Sequence, residues 1–473
     1  MSTNSSTGSG GSGGGGAPPG SCVPSESPEP VDDGCGVFVS SSLGKAGNSG
    51  AKGASVKALG EAITLAKARG RRVYACAESF AEALVVTEGV TLYGGLDCSK
   101  GWAYVGETKK SRLDGPADQI ALVVASEAKT VEVVDFAISA ASATTPGGSS
   151  IAVVVDHAAL GLTRCDLVAG DGAEGAPGMP YASAGMAGKV GLNGGDACSA
   201  NSIFGGDSVV GMCDGSESTS GNGGPGLTNS GGAGSPGLPD GAMNAGAGEG
   251  AMACTPGTKG NDGAPGDPGI GAMALGALDK SGLTVPPGGN GMLGTVAQGG
   301  GGGGGAKGGV AADKCPAGMT GGASGGSGGS GGCGGAGGKG GSAGGSSIAL
   351  LSLDASLTFA GVTLTTGKGA KGGAGGLGQN GGQGGSPGAG GKTPMNSALN
   401  PACSGGPGGQ GGKGGQGGGG LGGHAIGIAY VGASAPSIKG ATFTKGTPGD
   451  GGLGAGATGN GAAGIQTDTQ AFP

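Results

Sequence analysis

One stretch constrains this chain more than any other feature, because the chain repeats it. Residues 150–167 read Ser-Ile-Ala-Val-Val-Val-Asp-His-Ala-Ala-Leu-Gly-Leu-Thr-Arg-Cys-Asp-Leu. Before it stand Ile120, Ala121 and Leu122, followed by Val131, Val133, Phe136 and Ile138; after it come Ile348, Ala349 and Leu350 with Leu357, Phe359, Val362 and Leu364. A looser fourth copy holds Ile426, Gly427 and Ile428, then Ile438, Ala441 and Phe443. The second and third copies align without a gap, placing Leu160, Leu162, Cys165 and Leu167 on Leu357, Phe359, Val362 and Leu364. Each copy alternates apolar and polar residues, breaks at a small-residue turn and alternates again, which predicts strand, turn and strand with one buried face. A single copy has nothing to bury that face against. Stacked copies do, so the repeat predicts a parallel β-solenoid in which each coil supplies one layer of core.

The rest of the composition does not suit an ordinary globular core. Gly 129 and Pro 25 in 473 residues exceed the level at which low complexity is the default. Collagen is excluded, since glycine does not hold every third place throughout and proline is too scarce. The net charge of −7 argues against nucleic acid, which requires a basic face. No apolar run reaches membrane-spanning length.

Residues 1–34 are mostly Ser, Gly, Pro and acidic side chains, and read as a flexible tether. They contain no basic stretch leading into an apolar one, so no signal peptide is visible. Eleven cysteines nevertheless point to an oxidising compartment. Either the natural start lies elsewhere or export uses a signal not seen here. Beyond the tether, residues 36–41 predict a strand. Ser55 is a fitting N-cap for a helix through Val56, Leu59, Ile63 and Ala66, closed by Gly70. Val73 to Cys76, Leu84 to Val86 and Val90 to Tyr93 then read as strands. An amphipathic helix over the first coil protects the open end of such a stack.

Val37, Phe38, Val39 and Ser40, the glycine-rich loop after them, Val56 to Leu59 with Glu61 to Ile63, Val73 to Cys76, Phe80 to Glu82 and Gly89 to Gly95 carry a resemblance. Together they resemble the opening segment of bacterial right-handed parallel β-helix proteins of the pectin-lyase-like superfamily, where this segment caps the helix. The likeness covers roughly residues 35–170 and the later coils. It departs at Gly47 and Asn48, where the family often has Asp, and at Ala54 and Ser55, where it often has Pro. Neither departure touches chemistry, because the segment carries no catalytic residue in that family. The glycine-rich remainder is similar to repetitive, PGRS-like proteins of bacterial surfaces.

Glycine-rich stretches leave the repeat at one point of each coil: 171–345, 368–423 and 447–464. Their ends have period three, with Gly172, Gly175 and Gly178 leading out and Gly322, Gly325, Gly328, Gly331, Gly334, Gly337 and Gly340 leading back. Gly369 to Gly384 and Gly405 to Gly423 repeat the pattern. Three is the polyproline II period, and glycine at each third place lets neighbouring strands approach backbone to backbone. The stretches read as antiparallel polyproline II strands in a bundle beside the coils; the competing reading is disorder, because ordering glycine costs the most backbone entropy. Val209 to Met212 and Met273 to Leu275 interrupt the glycines and predict local apolar anchors. The expected division is therefore tether 1–34, capped coils 35–170, excursion 171–345, coil 346–367, excursion 368–423, coil 424–446, and a short excursion with a terminal strand at 447–473.

Cys165 falls on the buried stripe, where other copies carry Phe136, Val362 and Ala441, and should be a free, inert thiol. Ten cysteines remain to pair: Cys22, Cys35, Cys76 and Cys98 near the start, and Cys198, Cys213, Cys254, Cys315, Cys333 and Cys403 in the excursions. No Cys-x-x-Cys or Cys/His cluster exists, so no metal residue is assigned and no cofactor is expected. Residues 386–393 imitate a phosphate loop but lack a preceding strand. Gly170-Asp171-Gly172 and Gly449-Asp450-Gly451 read as turns rather than calcium sites. Asp156 and His157 with Arg164 and Asp166 form the one group with acid and base character. Asp156 and His157 occupy the turn between strands, and the aligned copies carry Leu353-Asp354 and Val431-Gly432 there. No catalytic residue is assigned, and the expected function is a non-enzymatic, exported structural or adhesive protein whose partner is a surface glycan or protein. Two other classes remain: a polysaccharide lyase or hydrolase on a β-helix, and an ice- or receptor-binding polyproline II bundle, the ice version weakened by scarce threonine.

Overall fold

The structure is a computed structural model describing residues 22–27, 29–69, 72–239, 243–310, 314–315 and 318–473. Most of the 1–34 tether and the Gly70 helix end lie outside the described residues.

Alternation in the repeat becomes three long sheets of parallel strands, visited in rotation. The first holds Gly36–Val39, Arg72–Cys76, Val90–Asp97, Thr130–Val134, Ala159–Thr163 and Ser356–Ala360, with Ala103–Tyr104 added antiparallel to Val90–Asp97. Ser79–Phe80, Ser111–Gly115, Phe136–Ala140, Asp166–Ala169, Val362–Thr366 and Ala441–Thr444 build the second. The third contains Leu84–Val86, Leu122–Val124, Ser150–Asp156, Ser347–Leu353, Ala425–Val431 and Gln466–Ala471. The repeat register is preserved: Leu160 pairs with Val131 and Leu357, Leu162 with Val133 and Phe359, and Leu167 with Ile138 and Leu364. Inward side chains of the three sheets meet in one core that includes Phe136, Leu160, Leu162, Cys165 and Leu364. The fourth copy departs from the expectation, because residues 432–440 form no strand on the first sheet and Ile438 is exposed.

The corners explain two of the polar residues in the repeat. Asp135, Arg164, Gly361 and Gly440 lie in register between the first and second sheets, and all four have positive φ. A sharp corner needs that left-handed residue, which Asp tolerates and Gly adopts freely.

Helix α1 (Leu59–Arg69) buries Leu59, Ala62, Ile63 and Ala66 against the first circuits. It starts later than the sequence predicts: Val56 bridges to Val39 instead, and Ser55 is not the cap. The first helical N–H groups donate to a distant carboxylate, Leu59 N to Glu82 Oε1 at 2.8 Å and Gly60 N to Glu82 Oε2 at 3.3 Å. The third sheet is covered on its outer face too. Ile151, Val154, Ile348, Leu351 and Ile426 pack there against Leu275 and against Leu278 and Leu283 of the hairpin that follows it, Ala277–Asp279 with Gly282–Thr284, within the first glycine-rich stretch. Leu275 thus anchors as expected, whereas Met273 and Met212 are exposed.

All the glycine-rich stretches leave between the second and third sheets. They carry hydrogen-bond ladders of period three. Gly172, Gly175 and Gly178 N–H donate to the carbonyls of Lys368, Lys371 and Ala374; Gly326, Gly329 and Gly332 donate to those of Cys403, Gly406 and Gly409. The returning segment 322–345 has both parallel and antiparallel neighbours, and most of it is buried. Serine completes the pattern: Oγ of Ser324, Ser327 and Ser330 accepts from N–H of Gly195, Leu192 and Lys189 at 2.7, 2.8 and 2.8 Å. Such contacts leave no room for side chains, since a Cβ on Gly328 would stand 1.9 Å from the carbonyl oxygen of Gly300. Every cysteine but one is bridged, as Cys22–Cys35, Cys76–Cys98, Cys198–Cys315, Cys213–Cys333 and Cys254–Cys403; Cys165 is free and buried.

Candidate functional site

Of the four acid and base residues singled out in the sequence, Asp156 and His157 meet each other, and Arg164 and Asp166 are taken up elsewhere. Asp156 ends a strand of the third sheet, and its Oδ1 lies 2.6 Å from Nδ1 of His157, the left-handed residue at the following corner. Nε2 of His157 faces Asp354 of the next circuit at 3.9 Å. The Asp156 hydrogen bond, with Asp354 behind it, raises the affinity of this exposed imidazole for its proton. Arg164 sits at the opposite end of the next strand. Its Nε and Nη2 each lie 2.7 Å from a different oxygen of Asp135, which is buried and also accepts from the Tyr104 hydroxyl at 3.0 Å. Burial and the adjacent Asp135 push the Tyr104 phenol up to about 12. Arg164 is therefore the partner that makes a buried carboxylate tolerable, and has no free fork for a substrate. Asp166 faces outward on the second sheet, paired with Lys110 at 2.7 Å.

A concave polar surface runs beside that pair. Ala77, Glu78, Thr108 and Lys109 line two adjoining hollows of about 420 and 650 Å³, the second reaching Lys110, Arg112 and Asp166. Each carboxylate in this groove that has a perturbed proton affinity is held ionised. Burial alone would raise Glu78, but hydroxyls of Ser42, Ser41 and Ser40 and the Ser42 N–H outweigh it, leaving the carboxyl below its ordinary range. Asp97 is lowered by the Ser99 hydroxyl. Asp114 lies outside the lining but is bonded to Arg112 and Ser79 within it; burial would raise its carboxyl, and those two partners outweigh burial. Cleaving a glycosidic bond requires one carboxyl that keeps its proton near neutral pH beside one that has lost it. Among the described carboxyl groups, burial raises only Glu132, which stands on the first sheet in register with Thr91 and Gly161 rather than beside a second acid.

Among the described residues, metal chemistry has one geometric candidate. Ligand atoms of Cys76, Glu78 and Cys98 lie within 4.8 Å of one another. The two sulfurs are joined as a disulfide, so neither is a thiolate ligand, and Glu78 is already surrounded by serine donors. The phosphate-loop imitation at 386–393 belongs to the bundle: Gly388, Gly391 and Lys392 N–H are spent on Ser327, Ser324 and Asp196. Asp171 serves a backbone in the same way, accepting from Lys368 N–H at 2.7 Å.

Asp135, Tyr104, Lys110 and Glu78 were missed in the sequence because their partners sit in other circuits. One signal was present for Asp135: it occupies the same column of the repeat as Arg164. Searches of family descriptions, of curated proteins and of solved structures return no match to this chain.

Proposed function

We propose that this is a non-catalytic structural or adhesive protein of the cell exterior, built as a right-handed parallel β-helix of the pectin-lyase-like kind with a side bundle of polyproline II strands. The rotation of strands through three in-register parallel sheets supports the first part. Period-three ladders in segments without strand or helix support the second. The observation carrying the functional reading is the surface of the bundle. Three disulfides span 117, 120 and 149 residues across it, and, Met1 aside, every methionine in the chain projects from the glycine-rich stretches and is exposed. Exposed, adaptable thioethers on a rigid frame suit binding to another surface. Five disulfides fit maturation in an oxidising compartment. No described helix is long and apolar enough to cross a membrane.

Two measurements test the reading. The purified, oxidised protein should release no reducing or unsaturated ends from pectate, alginate or similar polymers, and Asp156→Ala should change nothing. Fractionated producing cells should hold the protein outside the cytoplasm with its bridges formed. Turnover abolished by Asp156→Ala with the fold intact, or a reduced cytoplasmic pool, would sink it.

A further inference from the structure

One irregularity in the bundle creates a site. Gly178 and Gly185 are seven positions apart, one more than two triplets, so residues 179–184 bulge out of the outgoing strand. The ladder from the returning strand skips this bulge. Ser342 N–H still reaches Ala176 and Cys333 N–H still reaches Met186, but Ala336 N–H turns to Oε1 of Gln379 instead, at 2.8 Å. A hollow of about 360 Å³ opens beside the gap. Its apolar lining includes Met186, Leu293 and the Cys213–Cys333 disulfide; Asp214 and Ser216, on the hairpin Val210–Cys213 with Ser216–Thr219, add polar groups.

Two observations define what fits. The serine column that serves Gly195, Leu192 and Lys189 N–H reaches Cys333 at the next step, where the sulfur is spent on Cys213. Among the described residues, Met186 N–H consequently has no acceptor. Asp214, meanwhile, pairs with no described lysine, arginine or histidine, and the lining contains none of these. A ligand satisfying the hollow needs an acceptor for Met186 N–H, an apolar group for Leu293 and the sulfurs, and a positive charge for Asp214.

We propose that this hollow is a peptide-binding site for an extended segment carrying an apolar side chain next to a lysine or arginine. The backbone carbonyl accepts from Met186, the apolar side chain rests on Leu293 and Met186, and the cation reaches Asp214. This deepens the adhesive reading and rests on it for its purpose, but the binding event itself does not depend on where the protein is displayed.

The exposed methionines supply reporters. In the full-length oxidised protein with carbon-13 methionine methyls, titration with N-acetyl-phenylalanyl-lysine amide should shift the Met186 methyl saturably. Met243 and Met395, away from the lining, should stay in place. N-acetyl-phenylalanyl-glutamate amide should bind at least tenfold more weakly. Asp214→Asn should weaken the lysine peptide at least fivefold and leave the other methyl signals unchanged. Leu293→Ser should weaken both peptides. The proposal is overturned by absence of a saturable Met186 shift at millimolar peptide, by equal binding of the two peptides, by uniform shifts of all the methyls, or by an Asp214→Asn variant that is folded and binds normally. Cell fractionation and polymer turnover read the adhesive function separately, so either idea can fail alone.

Discussion

Replacing Gly328 by alanine tests whether the glycine-rich segments are packed rather than merely present. The added Cβ would stand 1.9 Å from the Gly300 oxygen and 2.4 Å from its carbonyl carbon, both backbone atoms that no rotamer change can move. Relief requires the returning strand to separate from segment 288–308. Three bonds meet at that contact: Gly328 N–H to Gly221 O at 3.0 Å, Gly300 N–H to Gly329 O at 2.9 Å and Gly221 N–H to Gly300 O at 2.9 Å. Losing two of them costs about 2 kcal/mol at ~1 each, and overpacking adds roughly 1–3. A local loss of about 3–5 kcal/mol follows, which is about two to three and a half decades of amide-exchange protection at ~1.4 kcal/mol per decade. Hydrogen exchange by mass spectrometry, with bridges intact, reads peptides from 322–345. The control is Gly53→Ala, where nothing lies within 4 Å of the new methyl and stability should be unchanged or slightly higher. Protection within threefold of the Gly53→Ala control would refute the close-packed bundle.

Alkylation under denaturing, non-reducing conditions should label Cys165 alone, and native protein should resist labelling, because burial raises this thiol to about 12; a label on any other cysteine would contradict the pairing. Arg164→Ala should cost about 3–5 kcal/mol in denaturant unfolding by leaving Asp135 buried without its partner, and a loss below about 1 would show that Asp135 is solvated. His424 is buried, accepts from Ile465 N–H at 3.1 Å and lies 3.4 Å from the Leu275 carbonyl, and burial lowers its proton affinity. The unfolded chain then takes up this proton at higher pH than the folded one, so the contribution is intact above the ordinary histidine value and is lost as pH falls from there toward the lowered one. His424→Gln should flatten that acid-side slope; an unchanged slope would assign it to other groups. Replacing 171–344 by a short connection should lower the denaturation midpoint by uncovering Ile151, Val154 and Ile348, and a raised midpoint at constant slope would mean that the excursion contributes no packing.

Much of the stacked part was legible because its information is local and repeated. Alternation at Val131, Val133, Leu160 and Leu162 marks the inward face, and the gapless alignment of two copies fixes their pairing, since a slip of one residue would turn the whole stripe outward. Cys165 was legible as a core thiol for the same reason. The acid and base group was not: His157, Arg164 and Asp166 are close in sequence, yet successive corners turn them to different sides of the stack, where Asp354, Asp135 and Lys110 from other circuits take them up.

By itself, then, the sequence determined the strand register, the buried stripe and the period of the glycines, all of which depend on short-range geometry that a repeat states many times over. Tertiary structure alone decided that Cys198 joins Cys315, that Glu82 caps the helix, that a hairpin from the bundle seals the third sheet, and that Cys333 interrupts a column of serines. Those outcomes depend on which distant segments lie side by side. Closing a loop of 117 residues differs little in entropy from closing one of 149, so spacing along the chain carries almost no information about the partner.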